Sequence, residues 1–332
     1  MFGKFSRITT SAIAAAALFG VGCTSVSAEE LRIGAMREGS AWYVFAATLE
    51  QMIESLDGTE IEVIARGGGV ANPMVVQAGK ADIALSNVAS AIWAYEGSDV
   101  YGGKKATDIR ALVGGLNDVY VGAIARKAFL DKVGTSDMKE IFTSGKPVRV
   151  LMKPVGSSAV PVAHMVFESL GTSVEKIKDD GGDVIQVGAG QIADEMRNGK
   201  ADIYFDTILK GHPTITEVSL TADVKFLDLP PESQKFIESH GLKAGGFGPW
   251  FDGQDGKTIG ANIGTVLIAN ASLSDDMAYK ITKTLIENAD LLKQSHGAWK
   301  NFDPSKAWLP ENTGIPLHPG AERYYRETGL MK

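Results

Sequence analysis

The chain has 332 residues, 44% hydrophobic and 22% charged, with 33 basic against 40 acidic side chains and one cysteine. At about 100–200 residues per domain this length points to two domains or one large one, and the composition excludes collagen-like, disordered and polytopic membrane chains. A net charge of −7 with no basic block excludes a nucleic-acid binder, because the phosphate lattice demands clustered lysine and arginine.

Residues 1–28 read as a signal peptide: Lys4 and Arg7 open it, Ala12 to Val21 is apolar, and Val26-Ser27-Ala28 ends it in a small-x-small cleavage pattern. Gly20-Val21-Gly22-Cys23 offers a competing lipoprotein reading, with Cys23 as the lipidated residue. Cleavage after Ala28 leaves no cysteine and 31 basic against 40 acidic residues, a net charge of −9. Thiol catalysis, disulfides and thiolate metal sites are then excluded. The expected location is outside the cytoplasm, without direct membrane insertion.

The rest of the chain contains a unit that occurs twice. Leu31 to Met36 alternates as a strand, Gly39-Ser40 follows, and Ala41 to Leu56 has apolar residues at helical spacing. Val148 to Met152, Gly156-Ser157 and a helical segment to Leu170 repeat the plan, each Gly-Ser pair standing 117 residues from the other. A second strand, Ile61 to Ala65, runs into Gly67-Gly68-Gly69, and Val184 to Val187 runs into Gly188-Ala189-Gly190. A short helix then leads in each copy to the same tetrapeptide, Gly79-Lys80-Ala81-Asp82 and Gly199-Lys200-Ala201-Asp202, and to the strands Ile83 to Ser86 and Ile203 to Asp206. The first glycine of each tetrapeptide fits a left-handed helix cap. Strands alternating with helices predict parallel sheets covered on both faces, one in each of two lobes.

Ile109 to Gly115 and Tyr120 to Ala125 read as crossovers between the lobes, and the segment from Asn262 to Ala269 as the return to the first. Asp275 to Gln294 reads as one helix, and Trp299 to Tyr325 as a tail packed on the first lobe. The expected boundaries are 29–122 for the first part of lobe 1, 123–261 for lobe 2, and 262–332 for the return and C-terminal helices of lobe 1. The fold class is α/β: two lobes of mixed sheets flanked by helices, with a ligand cleft between them.

In such sheets ligands bind beyond the carboxyl ends of the strands, where helix N-termini favour anions. Gly39-Ser40, Gly69 and Gly156-Ser157-Ser158 fall there, although serine also caps helices routinely. Arg66 is the candidate bidentate anchor for a carboxylate, with Arg37 nearby. Trp42 and Tyr43 offer an aromatic wall or core packing, and Asn72 an amide donor or a cap before Pro73. Ser86-Asn87 and Asp206-Thr207 end equivalent strands and are expected to face the cleft. Enzyme signatures are weak. Gly188 to Ala193 fits a dinucleotide pattern without its acidic partner, and the five histidines make no zinc motif. No cofactor, metal or catalytic residue is expected.

The ordered series Gly39-Ser40-x-Trp42-Tyr43, Gly67-Gly68-Gly69-Val70-Ala71-Asn72, Gly79-Lys80-Ala81-Asp82, Tyr95-Glu96-Gly97, Gly156-Ser157-Ser158, Asn198 to Asp202 and His318-Pro319-Gly320-Ala321-x-x-Tyr324-Tyr325-x-Glu327-x-Gly329 resembles the TAXI family of TRAP-transporter receptors. The resemblance implies the two-lobed periplasmic-binding-protein fold of type II kind, in a periplasmic receptor that passes a small carboxylate such as glutamate, glutamine or 2-oxoglutarate to membrane permease subunits. It implies a cleft lined by Ser40, Trp42, Tyr43, Gly69, Asn72, Ser86, Gly156 to Ser158 and Asp206. Gly69 and Trp42 replace the usual serine and tyrosine, which puts the family's ligands in doubt. A receptor for another transporter or a sensory system, and an exported enzyme on the same fold, remain open readings.

Overall fold

The computed structural model describes residues 31–332. The signal peptide expected over 1–28 and the lipoprotein reading at Cys23 lie outside the described residues. Among those described, no helix is long and apolar enough to cross a membrane.

The chain enters through β1 (Leu31–Gly34), β2 (Ile61–Ile64), β3 (Ile83–Ser86) and β4 (Ile109–Val113). It then builds β5 (Tyr120–Arg126), β6 (Arg149–Met152), β7 (Asp183–Gln186), β8 (Ile203–Ile208), β9 (Val224–Leu227), β10 (Lys243–Phe247) and β11 (Thr258–Asn262), and returns through β12 (Val266–Asn270). The first sheet has the order β2-β1-β3-β12-β4, and the second the order β10-β11-β5-β8-β6-β7 with β9 also on β5. Within each copy of the repeat the strands are parallel, β2-β1-β3 in one and β7-β6-β8 in the other. The sheets as wholes are mixed, as the expected fold class has them, with the parallel pairing confined to the two copies of the repeat. β12 runs antiparallel to β3 and β4, and β5 antiparallel to β8, because each belongs to a connection that returns from the other sheet.

β4 lies in the first sheet and β5 wholly in the second. Two connectors thus join the sheets, 114–119 and 263–265, and they are paired with each other: the Leu116 N–H donates to the Thr265 carbonyl at 3.1 Å and the Ile263 N–H to the Val119 carbonyl at 2.8 Å. The helix expected over Asp275 to Gln294 is two, Asp275–Glu287 and Ala289–Ser295, because Asn288 leaves helical geometry with φ −107 and ψ 27. The tail packs on the first sheet, with Trp299 and Tyr325 fully buried and the Tyr325 hydroxyl donating to the Leu112 carbonyl at 2.9 Å.

The twice-used tetrapeptide has a structural explanation. Gly79 and Gly199 take φ +63 and +68 just past a helix end, a conformation that only glycine adopts without a Cβ penalty. The aspartates then tie their strands to an arginine in the first strand of the same copy. Asp82 accepts from the Arg32 N–H at 2.9 Å, Nε at 3.0 Å and Nη2 at 2.9 Å. Asp202 does the same with Arg149 at 3.0, 2.9 and 2.5 Å, and also takes Arg126 Nη2 at 3.2 Å. Burial alone would raise the Asp202 carboxyl, but the bonds from Arg149 and Arg126 outweigh it and hold the group below its ordinary 3.8. Its contribution is therefore present above that value and lost as pH falls through the depressed one. Asp202→Ala is expected to cost about 2 kcal/mol in urea unfolding, because two partly buried guanidinium groups lose their counter-charge. The more exposed Asp82 should cost about 1 kcal/mol or less.

Candidate functional site

The carboxyl ends of the two sets of parallel strands meet at a seam. Here the Val70 N–H donates to the Gly156 carbonyl at 3.1 Å, and the Ser158 hydroxyl donates to Asn87 Oδ1 at 2.6 Å and lies 3.2 Å from the Ser90 hydroxyl. Gly69 sits where the halves are closest, and a Cβ there would fall 1.8 Å from Ser158 Oγ. Glycine at this position is what lets the second sheet's serine reach Asn87.

Two adjoining chambers lie along this seam, an inner one of about 30 Å³ and an outer one of about 290 Å³. Met36, Ser40, Lys153, Ser157 and His212 line both. Trp42, Gly69, Ser158 and Thr207 line the inner chamber, and Gly156 the outer. The helix Ala41–Asp57 points its N-terminus here, its third N–H bonded to Ser40 Oγ at 3.2 Å, so Ser40 both caps and lines. Ser157 and Ser158 likewise precede the helix Ala159–Ser169.

The charge in the site comes from a residue outside the candidate set. Lys153 directly follows β6 and is only 6% exposed, its ammonium 2.9 Å from Asp206 Oδ2 and 3.2 Å from His212 Nε2. Asp206 is fully buried and saturated: Oδ2 also accepts from the Tyr204 hydroxyl, and Oδ1 takes the Thr207 N–H at 2.7 Å and hydroxyl at 3.2 Å. It therefore sets the position of Lys153 and does not face the cleft. His212 precedes the helix Pro213–Thr221, with Nδ1 3.4 Å from the Ile215 N–H. Burial first, and then the Lys153 charge, lower its pKa to about 3, so the imidazole is neutral. A neutral ring has one acceptor nitrogen for two donors, Lys153 and Ile215. Lys153 thus keeps donor capacity for a group in the chambers.

The sign of the His212 effect follows from linkage. The unfolded chain takes up a proton near 6.5 while the folded one refuses it until about 3, so stability falls as pH drops through that interval. A slope approaching about 1.4 kcal/mol per pH unit is expected. His212→Gln should flatten it in unfolding experiments between pH 6 and 4.

Several candidates lie elsewhere. Arg66 is exposed, lines neither chamber and makes no ion pair among the described residues, because it continues β2, the edge strand of its sheet. Asn72 is fully buried as a clamp: Oδ1 accepts the Gly68 N–H at 3.1 Å, and Nδ2 donates to the Leu85 carbonyl at 2.8 Å and, weakly, to that of Gly34 at 3.4 Å. Ser86 turns its buried hydroxyl to the Asn87 carbonyl at 3.0 Å, and Tyr43 is half-buried outside both chambers. Asn87, expected at the cleft beside Ser86, lines the inner chamber, whereas Lys153 and His212 are the residues that sequence reasoning missed. Lys153 had a signal, since it stands 117 residues from Met36, the equivalent strand end, and both line the two chambers.

Solved structures share this architecture at low identity. The periplasmic binding protein BugD matches at 13% identity with a TM-score of 0.53, over 91% of this chain and 94% of that one. A protein from Bordetella bronchiseptica RB50 matches at 15% and 0.51, over 91% and 89%. MatC from Rhodopseudomonas palustris, solved with bound malate, matches at 13% and 0.50, over 91% and 99%. The likeness shows a mixed α/β fold of two helix-flanked sheets, that of periplasmic binding proteins. The model of the NMT1-like family matches residues 33–329, from the first strand through the packed tail, and the chain therefore belongs to the NMT1-like family.

Proposed function

We propose that this chain is a periplasmic solute-binding receptor, not an enzyme, which closes over a small carboxylate and delivers it to the permease subunits of a TRAP transporter. The observation that carries the reading is the buried ammonium of Lys153, lining the same chambers as the N-terminal turns of two helices. An ammonium with spare donors beside helix N-termini is suited to a small anionic group such as a carboxylate. Ser40, Gly156, Ser157, Ser158 and Thr207 would surround the ligand, with Trp42 as a wall. The paired connectors 114–119 and 263–265 would serve as the hinge between lobes divided near 122 and 262.

Titration with small carboxylates, followed by tryptophan fluorescence, tests this reading. A saturable change that is lost in Trp42→Phe is expected, and flat traces for every carboxylate would remove the site. Membership of the NMT1-like family favours one second reading, a receptor for another class of transporter or for a sensory system. Sodium-dependent uptake into vesicles carrying TRAP permease subunits separates the two: stimulation by the purified receptor supports the first, and its absence the second.

A further inference from the structure

We propose that the cleft selects an organic acid carrying one negative charge and no ammonium group, a monocarboxylate; this inference rests on the receptor reading above. It follows from the charges that the fold has already paired. Lys153 is the buried cation of the chambers, and Asp206 balances it at 2.9 Å. His212, the other ionisable group buried there, stays neutral. Arg37 and Glu38 also line the outer chamber, but they are exposed, opposite in sign and screened by solvent. No formal charge is left over.

What remains is the partial positive charge of helix N-termini. The helices Ala41–Asp57 and Ala159–Ser169 present theirs at the seam, about half a charge each. The helix Pro213–Thr221 already has the His212 ring at its first turn, and the helix Ala189–Arg197 brings Gly188, Ala189 and Gly190 only to the outer chamber, where Gly190 and Gln191 are exposed and solvent screens its N-terminus. Together these suit one carboxylate. A second would be desolvated without a cation of its own, which burial penalises heavily.

An ammonium fares no better. Among the described residues Asp206 is the one buried carboxylate near the chambers, and all of its bonding is taken by Lys153, Tyr204 and Thr207. A ligand amine would instead lie close to the Lys153 charge with no acceptor of opposite sign. The amino acids and dicarboxylates suggested by resemblance are therefore disfavoured.

Calorimetry with three acids on one four-carbon skeleton tests this: 2-hydroxybutyrate, malate and 2-aminobutyrate. The wild-type protein is expected to bind 2-hydroxybutyrate at least tenfold more tightly than either of the others. In Asp206→Asn, where the Lys153 charge is no longer balanced, the ratio should shift about tenfold towards malate. The wild-type comparison decides alone if that variant does not fold. Malate or 2-aminobutyrate binding as tightly as 2-hydroxybutyrate would overturn the inference and leave the receptor reading standing. Silence from all three, together with flat fluorescence titrations, would overturn both.

Discussion

Lys153→Met is expected to lose at least about a hundredfold in carboxylate affinity, or about 2.8 kcal/mol at 1.4 kcal/mol per tenfold. The ammonium is the only buried full positive charge lining the chambers among the described residues. The same substitution strips Asp206, which is fully buried, of its counter-charge. Breaking one side of a buried pair typically costs about 3–5 kcal/mol, because the remaining charge is left uncompensated in a low-dielectric site. Loss of binding and loss of stability should therefore appear together in the single variant. Lys153→Met combined with Asp206→Asn separates them: stability should largely return, since no lone charge is buried, while binding stays lost. Calorimetry and urea unfolding on the two variants provide the readings. Recovery of binding in the double variant would show that Lys153 does not hold the ligand.

Asn72→Ala should be the most damaging neutral substitution at the seam. Its amide joins three pieces of chain, accepting the Gly68 N–H and donating to the carbonyls of Leu85 and Gly34. Alanine leaves a buried donor and at least one buried carbonyl unpaired, at about 1–3 kcal/mol each. The Gly67 and Gly68 turn, held at φ +110 and +153, loses its anchor. Asn72→Ala is expected to cost about 3 kcal/mol in unfolding, and to weaken binding only through the displaced turn. Asn72→Asp should be nearly as harmful, because it keeps the acceptor but loses the donor to Leu85. A variant of native stability with weakened binding would instead make Asn72 a direct ligand contact.

The contrast between Asn72, Arg66 and Lys153 shows where sequence reasoning stops. The doubled strand-turn-helix unit was legible because its signals are local: alternation, helical periodicity, and glycines that must take positive φ. The turns that line the chambers followed from where helices begin in a parallel sheet. Which polar side chain enters the chambers is not a local property. Arg66 and Lys153 both follow a strand, but β2 is the edge of its sheet whereas β6 lies between β7 and β8. The first therefore emerges into solvent and the second into the seam. Asn72-Pro73 has the look of a helix cap, yet its amide is consumed by strands far from it in sequence. Asp206 was placed near the cleft, and only its saturation by Lys153, Tyr204 and Thr207 shows that it acts through the lysine. Which strands run antiparallel was hidden for the same reason, since the direction of β5 and β12 depends on how the chain returns between sheets.

Native mass spectrometry of the protein purified directly from its exporting cells is the most direct measurement of whether Lys153 holds a carboxylate between the two sheets. A single carboxylate adduct, one per chain, is expected on the wild-type protein and absent from both Lys153→Met and its combination with Asp206→Asn. An adduct retained at full occupancy in the folded double variant, or a wild-type adduct that is a cation or a neutral molecule, would contradict it.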